Sequence, residues 1–238
     1  MAEHSTPEPW KLLVIDDEKS IRRFLRASFT PDEAVVLEAE NGTDGMRMVA
    51  HENPDVVLLD LGLPDIDGLE VVERLREWSQ VPIIVLSARG LERDKIAALD
   101  LGADDYLTKP FGVGELSARI RVTLRHAQTR ATPGQVEPVF EANGLRVDLS
   151  KRRVERAGEE VKLTPIEYKL LAILVRHAGL VVTHKQLLLE VWGPAYVDEL
   201  HYLRVYMGQL RHKLEENPSK PKTLTTESGV GYRLQTAE

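Results

Sequence analysis

The sequence predicts a two-part protein, in which a doubly wound α/β domain is followed by a small α+β domain. Short runs rich in Val, Ile and Leu alternate five times with amphipathic helical patterns between residue 11 and about residue 126. A stretch rich in Pro and polar residues follows, and beyond it short strand patterns precede three helical patterns and a hairpin pattern. The alternation is typical of a parallel sheet with helices on both faces.

The five strands of the first domain are predicted at continuous apolar runs, which suit strands buried on both faces. These runs are residues 11–17, 35–39, 55–60, 81–86 and 104–107. The helical patterns between them place apolar residues on one face. Their apolar stripes include Ile21, Leu25 and Phe29, then Val71, Val72, Leu75 and Trp78, then Ile96 and Leu99, and last Leu116, Ile120 and Leu124.

Composition and charge limit the class of protein. The chain has no cysteine, which excludes a disulfide scaffold, a Cys-based zinc site and a thiol nucleophile. No apolar run approaches the roughly 18 residues of a membrane span, and the first ten residues do not resemble a secretory signal, so we expect a soluble cytoplasmic protein. Residues 1–125 carry 15 basic and 24 acidic residues, and residues 126–238 carry 16 and 14. An acidic half joined to a mildly basic half suggests different partners, although chance variation in surface charge would also give this pattern.

Polar residues end several of the predicted strands. Asp16 and Asp17 end the first strand, Asp60 the third and Ser87 the fourth, while Lys109 follows the fifth. Because ligands of doubly wound sheets bind beyond the carboxyl ends of the strands, we expect these five residues to meet at one edge. Singly, each could be a helix cap, a turn residue or a solvated charge.

Together these residues have a specific chemistry. Three neighbouring carboxylates repel one another, and a divalent cation removes that cost. Oxygen ligands without His or Cys indicate Mg²⁺ or Mn²⁺. One carboxylate can then attack a phosphoryl group, while the lysine and the hydroxyl contact phosphoryl oxygens.

The segments VIDDE, LLDLGLPDIDG, VLSAR and LTKPF resemble the receiver domain of two-component response regulators. The resemblance implies a phospho-acceptor at Asp60, catalytic roles for Lys109 and Ser87, an aromatic switch at Tyr106, and a metal held by Asp16, Asp17, Asp60 and the backbone carbonyl of Gly62. It also implies a cis peptide between Lys109 and Pro110. In relatives, position 62 is commonly a larger side chain, so Gly62 is a departure that alters the surroundings of the phosphoryl group.

The predicted domain boundaries follow the composition. Residues 1–9 are expected to be a disordered extension, and residues 10–126 form the receiver domain. Residues 127–138, with two prolines and one glycine, are predicted to be a flexible linker. Residues 139–236 form the second domain.

The second domain begins with strand patterns at residues 139–141, 145–148, 151–155 and 161–163. Thr164, Pro165 and Glu167 then mark the start of a helix that ends at Gly179. A second helix is predicted over residues 183–191 and a third over residues 198–215, in which Leu203, Met207, Leu210 and Leu214 form the core stripe. A hairpin at residues 223–227 and 230–234 completes a winged helix-turn-helix.

The segments LTPIEYKLL, QLLLEVWG, YMGQLRHKLE and GVGYRL resemble the effector domain of OmpR/PhoB-type regulators. Within that family, HYLRVYMGQLRHKLE and WGP are most similar to regulators of potassium-transporter expression. The resemblance implies that the third helix binds promoter double-stranded DNA. The implied DNA contacts are His201, Arg204, Gly208, Gln209, Arg211 and, on the wing, Thr226. Residues 192–199 match the loop that contacts RNA polymerase.

The resemblance also implies further partners. In the family, a sensor histidine kinase supplies the phosphoryl group, and the phosphorylated receiver forms a homodimer that binds tandem half-sites. The implied consequence is activation of a potassium-transport operon. The family's dimer face carries ion pairs, and the matching residues are Lys95 with Glu115, and Asp104 or Asp105 with Arg119. Exposed pairs of this kind contribute only about 0–1 kcal/mol each.

Two alternatives stay open. One is an aspartyl-phosphate enzyme, but such enzymes typically need a second acid two residues after the nucleophile, and that position here is Gly62. The other is a DNA-binding regulator that works without phosphorylation, against which the complete acidic set argues. We therefore expect a regulator and not an enzyme.

Overall fold

The structure is a computed structural model that describes residues 9–87, 92–131 and 139–236. The chain divides into two compact units between Ala127 and Gln128. The predicted disordered extension, apart from residue 9, and the last seven residues of the predicted linker lie outside the described residues. Within the described ranges, no helix has the length and apolar character needed to cross a membrane.

The first unit confirms the predicted doubly wound fold. Its elements, in chain order, are β1 (Trp10–Ile15), α1 (Lys19–Ser28), β2 (Ala34–Ala39), α2 (Gly42–Glu52), β3 (Val56–Asp60), α3 (Gly68–Arg76), β4 (Ile83–Ser87), α4 (Glu92–Asp100), β5 (Asp105–Thr108) and α5 (Val113–Ala131). The five strands are parallel and lie in the order β2-β1-β3-β4-β5. The order reverses direction at β1, and ligands of such sheets bind at that point.

The central strands are buried on both faces, as their continuous apolar runs predict. In β1, the side chains from Leu12 to Ile15 are all fully buried, although successive residues point to opposite faces. On one face, Leu12 and Leu58 pack against Leu25 of α1 and Leu116 of α5. Helices therefore cover the sheet on that face, and its polar residues are confined to the strand ends.

Helix α5 is longer than the sequence analysis predicts. It continues to Ala131, so the first five residues of the predicted linker are helical. Residues 127–131 read Ala-Gln-Thr-Arg-Ala and contain no helix breaker. The first strong break is Pro133, which disfavours a helical conformation at the residue before it.

The second unit contains the predicted three helices and the hairpin. Its elements are β6 (Val139–Ala142), β7 (Leu145–Asp148), β8 (Arg153–Arg156), β9 (Glu159–Glu160), α6 (Pro165–Arg176), β10 (Val181–Thr183), α7 (His184–Trp192), a 3₁₀ turn (Pro194–Tyr196), α8 (Leu200–Leu214), β11 (Leu224–Glu227) and β12 (Gly231–Leu234). They form a four-stranded sheet in the order β6-β7-β8-β9 and a three-stranded sheet in the order β10-β12-β11.

Two strand assignments in this unit differ from the prediction. The fourth strand is β9, and residues 161–163 are not a strand; Val161 donates to Val154 across the turn, and Val161 and Leu163 pack on the core instead. The sequence analysis also missed β10, which pairs with β12 and joins the hairpin to the helices. With three residues, β10 is too short to show a strand pattern.

Two of the three helices of the second unit, α6 and α7, begin where their caps predict. Thr164 accepts from the backbone of Glu167, and the Glu167 carboxylate accepts from the backbone of Thr164, which completes a capping box. Thr183 caps α7 in the same way by accepting from Gln186. The predicted stripe of α8 is buried throughout and forms the centre of the core, so the opposite face of α8 is exposed.

Candidate functional site

Three of the five polar residues predicted to meet at the carboxyl edge of the first sheet are in contact: Asp16, Asp60 and Lys109. Asp16 follows β1, Asp60 ends β3, and Lys109 follows β5. The Nζ atom of Lys109 lies 2.6 Å from Oδ1 of Asp60 and 2.9 Å from Oδ2 of Asp16. The ammonium group therefore joins two carboxylates that are 44 residues apart in the chain.

Asp16 is a buried carboxylate whose charged form is disfavoured by burial and by the neighbouring charge of Asp60. Its side chain is fully buried, and Oδ1 accepts from the backbone N–H of Glu18 at 2.8 Å. Burial raises the pKa of Asp16, and the negative charge of Asp60 adds to this, while Lys109 and the N–H of Glu18 work in the opposite direction. An added cation would stabilise the charged form of Asp16.

Lys109 is held in its charged form by the same neighbours. Burial alone favours the neutral amine, but hydrogen bonds and charge from Asp60 and Asp16 outweigh it and raise the pKa of Lys109. The side chain is 18% exposed, so it can meet a ligand that arrives from solvent. The Lys109–Pro110 peptide bond is cis, as the resemblance predicts.

Ser87 ends β4, beside β3 and β5 in the sheet. Ser87 is 2% exposed, and its Oγ atom has no hydrogen-bond partner among the residues that the structure describes. A buried hydroxyl without a partner costs free energy unless a ligand or water completes it. Ser87 is therefore available as a donor to a bound oxygen.

The backbone after Asp60 is arranged close to its carboxylate. The N–H of Gly62 donates to Oδ2 of Asp60 at 2.9 Å, while Oδ1 faces Lys109. A Cβ atom at position 62 would lie 3.2 Å from Oδ2 of Asp60. Glycine therefore keeps the carboxylate more open than a larger residue would.

We tested whether this arrangement suits a divalent cation. In the described part of the chain, no three His, Asp or Glu side chains are grouped to hold a metal ion by themselves. Mg²⁺ does not need such a cage, because it usually keeps several waters and takes one or two carboxylates together with phosphate oxygens. The carboxylate oxygens of Asp16 and Asp60 fit Mg²⁺ in this mode, because a cation would offset the cost of a buried negative charge at Asp16.

The β1–α1 loop contains one predicted ligand and one residue that the sequence analysis missed. Asp17 is exposed at the start of this loop. Arg22, on α1, is only 4% exposed, and its Nη1 atom donates to the backbone carbonyls of Asp16 and Asp17. A lone arginine six residues after an aspartate has no motif that would have identified this contact.

Tyr106, the predicted switch, is buried on β5 and 7% exposed. The Nζ atom of Lys95 lies 4.9 Å from the centre of the Tyr106 ring and donates to Oγ1 of Thr108 at 2.9 Å. A cation over an aromatic face is attracted by the ring quadrupole. These contacts connect α4 with β5 next to Lys109.

The predicted dimer-face residues form pairs within the first unit. Nη1 of Arg119 lies 2.8 Å from Oδ2 of Asp105, and Nη2 lies 2.8 Å from Oε1 of Glu115. Burial disfavours the charge, yet the two carboxylates outweigh it and raise the pKa of Arg119. Asp104 differs, because it pairs with Arg76 of α3 at 3.0 Å. Within one chain, Arg119 therefore pairs with Asp105 and Glu115, and the pairing between protomers stays a prediction.

The second unit exposes one face of α8. His201, Arg204, Gly208 and Arg211 follow one another in steps of three, four and three residues, so they share a face. His201 and Arg204 are exposed, and a Cβ at Gly208 would meet nothing within 4 Å. Gln209 is exposed beside this face. The face is therefore open to a large partner.

Arg211 connects α8 with the hairpin. Its Nε and Nη2 atoms donate to the carbonyl of Leu224 at 2.9 and 2.6 Å, and Nη2 donates to Oγ1 of Thr226 at 2.7 Å. The structure thus brings two predicted DNA contacts together. Val205 was not among the predicted contacts, yet it is 54% exposed in the middle of this helix. An exposed apolar side chain there suits the methyl group of thymine.

Comparisons with known proteins agree with this architecture. Residues 12–121 match the response regulator receiver domain, and residues 158–234 match the C-terminal domain of transcriptional regulatory proteins. The chain is 53% identical over 223 residues to the KDP operon transcriptional regulatory protein KdpE of Escherichia coli, covering 94% of this chain and 98% of that protein.

Other relatives belong to the same class. The chain is 51% identical to the transcriptional regulatory protein KdpE of Mycobacterium tuberculosis, covering 94% of this chain and 98% of the relative. It is 40% identical to a probable transcriptional regulator, ycf27, of Cyanophora paradoxa, covering 94% and 96%. Among solved structures, the OmpR/PhoB homolog DrrB of Thermotoga maritima is 27% identical with a TM-score of 0.48, covering 95% of this chain and 99% of DrrB.

Proposed function

Because the chain belongs to the two-component response regulators and combines a receiver domain with the C-terminal domain of transcriptional regulatory proteins, we propose that Asp60 accepts the phosphoryl group and that this phosphorylation-controlled transcriptional regulator acts on a potassium-transport operon. The observation that carries the first part is the position of Lys109, whose ammonium lies within 3 Å of the carboxylates of Asp60 and Asp16. The second part rests on two relatives that are named KdpE, one of which is named for the KDP operon.

The proposed reaction is a phosphoryl transfer from a phosphohistidine of a sensor kinase. An oxygen of Asp60 attacks phosphorus, the bond from phosphorus to the histidine nitrogen breaks, and the electron pair leaves with the imidazole, which takes up a proton. The product is an acyl phosphate on Asp60. Lys109 is proposed to contact one phosphoryl oxygen, and the unpartnered hydroxyl of Ser87 another.

Receiver domains generally bind Mg²⁺ for phosphorylation. We propose that Asp16, Asp17, Asp60 and the carbonyl of Gly62 hold it here. When bound, the cation offsets the negative charge of the carboxylates and of the phosphoryl oxygens. The protein's own part is to keep Asp16 buried in a position that favours a nearby positive charge, and to orient Asp60 through the N–H of Gly62.

The proposed output is binding to promoter DNA by α8 and the hairpin. The proposed base and phosphate contacts on α8 are His201, Arg204, Gly208, Gln209 and Arg211, and the proposed contact on the wing is Thr226. Because DNA-bound regulators work beside the chromosome, we infer a cytoplasmic location. The segment 192–199, which joins α7 to α8, is proposed to contact RNA polymerase.

We propose that phosphorylation changes the position of Tyr106 and promotes a homodimer through α4, β5 and α5. The dimer would place two second units on tandem half-sites. The supporting observations are the contact between Lys95 and Tyr106 and the cluster of Arg119, Asp105 and Glu115, both of which lie at the edge strand β5.

The test is phosphorylation of the full chain by a small phosphodonor with Mg²⁺, followed by phosphate-affinity electrophoresis. Wild-type protein should show a shifted band, and Asp60→Asn should show none. Asp67→Asn is the matched control, because Asp67 is an aspartate on the same loop whose side chain caps α3. A shifted band of normal intensity in Asp60→Asn would contradict the proposal, as would phosphorylation of the wild type after Mg²⁺ is removed.

A further inference from the structure

Arg22 is a buried arginine beside the site, and the proposed reaction gives it no role. Its side chain is 5% exposed, and Nη1 donates to the carbonyl of Asp16 at 2.8 Å and to the carbonyl of Asp17 at 2.9 Å. One guanidinium nitrogen therefore joins the main chain at two successive residues. Those residues carry two of the carboxylates proposed as metal ligands.

The rest of the guanidinium is held from the opposite side. Nη2 of Arg22 pairs with Glu40, and Nε lies 3.5 Å from Oε2 of Glu38. Glu38 is on β2, and Glu40 follows it. Arg22 thus connects α1 and the end of β2 to the loop after β1.

We propose that Arg22 is a positioning residue, which holds the main chain of Asp16 and Asp17 in the geometry that binds Mg²⁺. The inference rests on the proposed function, because it takes these residues as metal ligands. The carbonyl of Asp16 is buried, and a buried carbonyl that loses its donor has no water to replace it. Without Arg22, the peptide units would rotate toward new donors, and the attached carboxylates would move with them.

The charge of Arg22 and its hold on the main chain predict opposite effects on the affinity for a cation when Arg22 is removed, so its role can be tested. Arg22 is a positive charge next to an acidic site, so its removal should strengthen the binding of a cation if charge alone matters. If Arg22 acts by holding the main chain, its removal should weaken cation binding. A loss of Mg²⁺ affinity in an arginine variant therefore cannot result from the change in charge.

The chain offers a matched control on the same helix. Arg26 lies one turn after Arg22, and its Nε atom is 2.7 Å from Oε1 of Glu38. Arg26→Met removes one positive charge and one ion pair with Glu38, as Arg22→Met does. Arg26 differs in that its side chain is 65% exposed and it pairs with the carboxylate of Glu38 from the surface of α1.

The experiment is a titration of the unphosphorylated full chain with Mg²⁺ alone, followed by amide NMR or calorimetry. Arg22→Met should raise the dissociation constant about tenfold, in line with the loss of an outer contact to a metal ligand. Arg26→Met should leave it unchanged or lower it. Phosphorylation of Arg22→Met should be restored toward the wild-type rate at saturating Mg²⁺, because the reacting groups are still present.

A second measurement needs no metal. The backbone N–H of Glu18 donates to Oδ1 of Asp16, so its hydrogen exchange reports on the geometry of the loop. This amide should exchange faster in Arg22→Met than in Arg26→Met, while amides in the centre of β1 stay protected. If Arg22→Met does not fold, Arg22→Lys replaces it, since it keeps the buried charge but not the planar arrangement of donors.

An unchanged or lower dissociation constant in both Arg22→Met and Arg22→Lys would overturn the inference, because charge alone would then explain the result. Equal weakening in Arg22→Met and Arg26→Met would also overturn it. A wild-type chain that neither binds Mg²⁺ nor becomes phosphorylated would instead contradict the proposed function, so the two failures are distinguishable.

Discussion

Arg211 donates to the carbonyl of Leu224 from two nitrogens, Nε at 2.9 Å and Nη2 at 2.6 Å. The contact fixes the hairpin against α8, and Thr226 extends it along the strand. Burial lowers the pKa of Arg211, which is consistent with a guanidinium that is partly removed from solvent. Arg211 therefore has a structural use on α8 that a freely exposed cation would not have.

The first prediction is that Arg211 contributes to DNA binding mainly through the position of the wing. Lysine keeps the charge but cannot donate in the plane of a guanidinium. Arg211→Lys should therefore weaken promoter binding about tenfold, or about 1.4 kcal/mol, almost as much as Arg211→Ala. Binding titrations measure this, with Lys220→Ala, an exposed cation outside α8, as the control. Wild-type affinity in Arg211→Lys would show that only the charge is needed.

Asp65 caps α2 from a distant loop and gives a prediction for stability. Its carboxylate accepts from the backbone of Gly42 and Thr43 and, at 2.6 Å, from the hydroxyl of Thr43. The hydrogen bond from the Thr43 hydroxyl is the largest of the causes that lower the pKa of Asp65 to about 2. Asp65→Asn removes the charge and one of the two acceptor oxygens, so it should lower the free energy of unfolding at neutral pH by about 1 kcal/mol, the usual net contribution of one hydrogen bond.

The pH dependence of that loss follows from the sign of the shift. A carboxyl whose pKa is lower in the folded state contributes stability above its unfolded pKa, near 3.8, and loses it as the pH falls toward 2. Urea denaturation should thus show a difference between wild type and Asp65→Asn that shrinks from pH 4 downward. Asp32→Asn, an exposed aspartate before β2, is the control. A constant difference across this range would contradict the role of the charge.

The dimer face gives a charge-reversal prediction. If Lys95 of one protomer pairs with Glu115 of the other, Lys95→Glu should weaken the phosphorylated dimer, and adding Glu115→Lys should restore it. The change should be small, at about 0–1 kcal/mol per pair, because these side chains are near the surface. Sedimentation of the phosphorylated variants measures the dimer. Failure of the second substitution to restore it would exclude this pairing.

Arg119 is less suitable for such a test. It is the ion-pair partner of Asp105, which is fully buried, so Arg119→Glu would place two carboxylates together and leave a buried charge without its partner. Breaking a buried pair is strongly destabilising. A loss of dimer in Arg119→Glu would therefore not distinguish a lost interface from a damaged receiver.

The sequence predicted the fold and the meeting of Asp16, Asp60, Ser87 and Lys109 at one edge of the sheet for a simple reason. Buried parallel strands have continuous apolar runs, and the residues that end them must lie at the same edge. The sequence did not predict the ion pairs that Arg119 forms with Asp105 and that Arg76 forms with Asp104 within the first unit. These pairs depend on which side chains the packing of α5 and α3 against the sheet brings together.

Sequence patterns do not predict hydrogen bonds from side chains to the main chain. Arg22 and Arg211 both donate to backbone carbonyls, and every residue has such a carbonyl, so no residue type marks the acceptor. The short strand β10 was missed because three residues do not show a pattern. The end of α5 does not follow the change in composition at residue 127, because polar residues without a helix breaker can continue a helix, and the first proline beyond it is Pro133.

Arg204 gives the last prediction. It is exposed on α8, about one turn from the start of the helix, where residues contact base edges in this class of protein. If Arg204 meets only phosphate, its loss lowers the affinity evenly on all sequences and changes the salt dependence by about one ion. If Arg204 makes a bidentate contact with guanine, its loss should instead cost about 1–3 kcal/mol of binding free energy on the cognate site and little on other DNA. We expect Arg204→Ala to behave in the second way.

Binding titrations on cognate and scrambled promoter DNA at two salt concentrations separate these outcomes. Arg204→Lys is the matched control, because lysine can still meet phosphate but lacks the planar pair of donors. It should therefore lose specificity while it keeps the salt dependence of the wild type. Two copies in a dimer should double the free-energy cost on tandem half-sites relative to a single half-site. An equal loss on cognate and scrambled DNA would mean that Arg204 only positions the helix, and that specificity lies with His201, Gln209 or the exposed side chain of Val205.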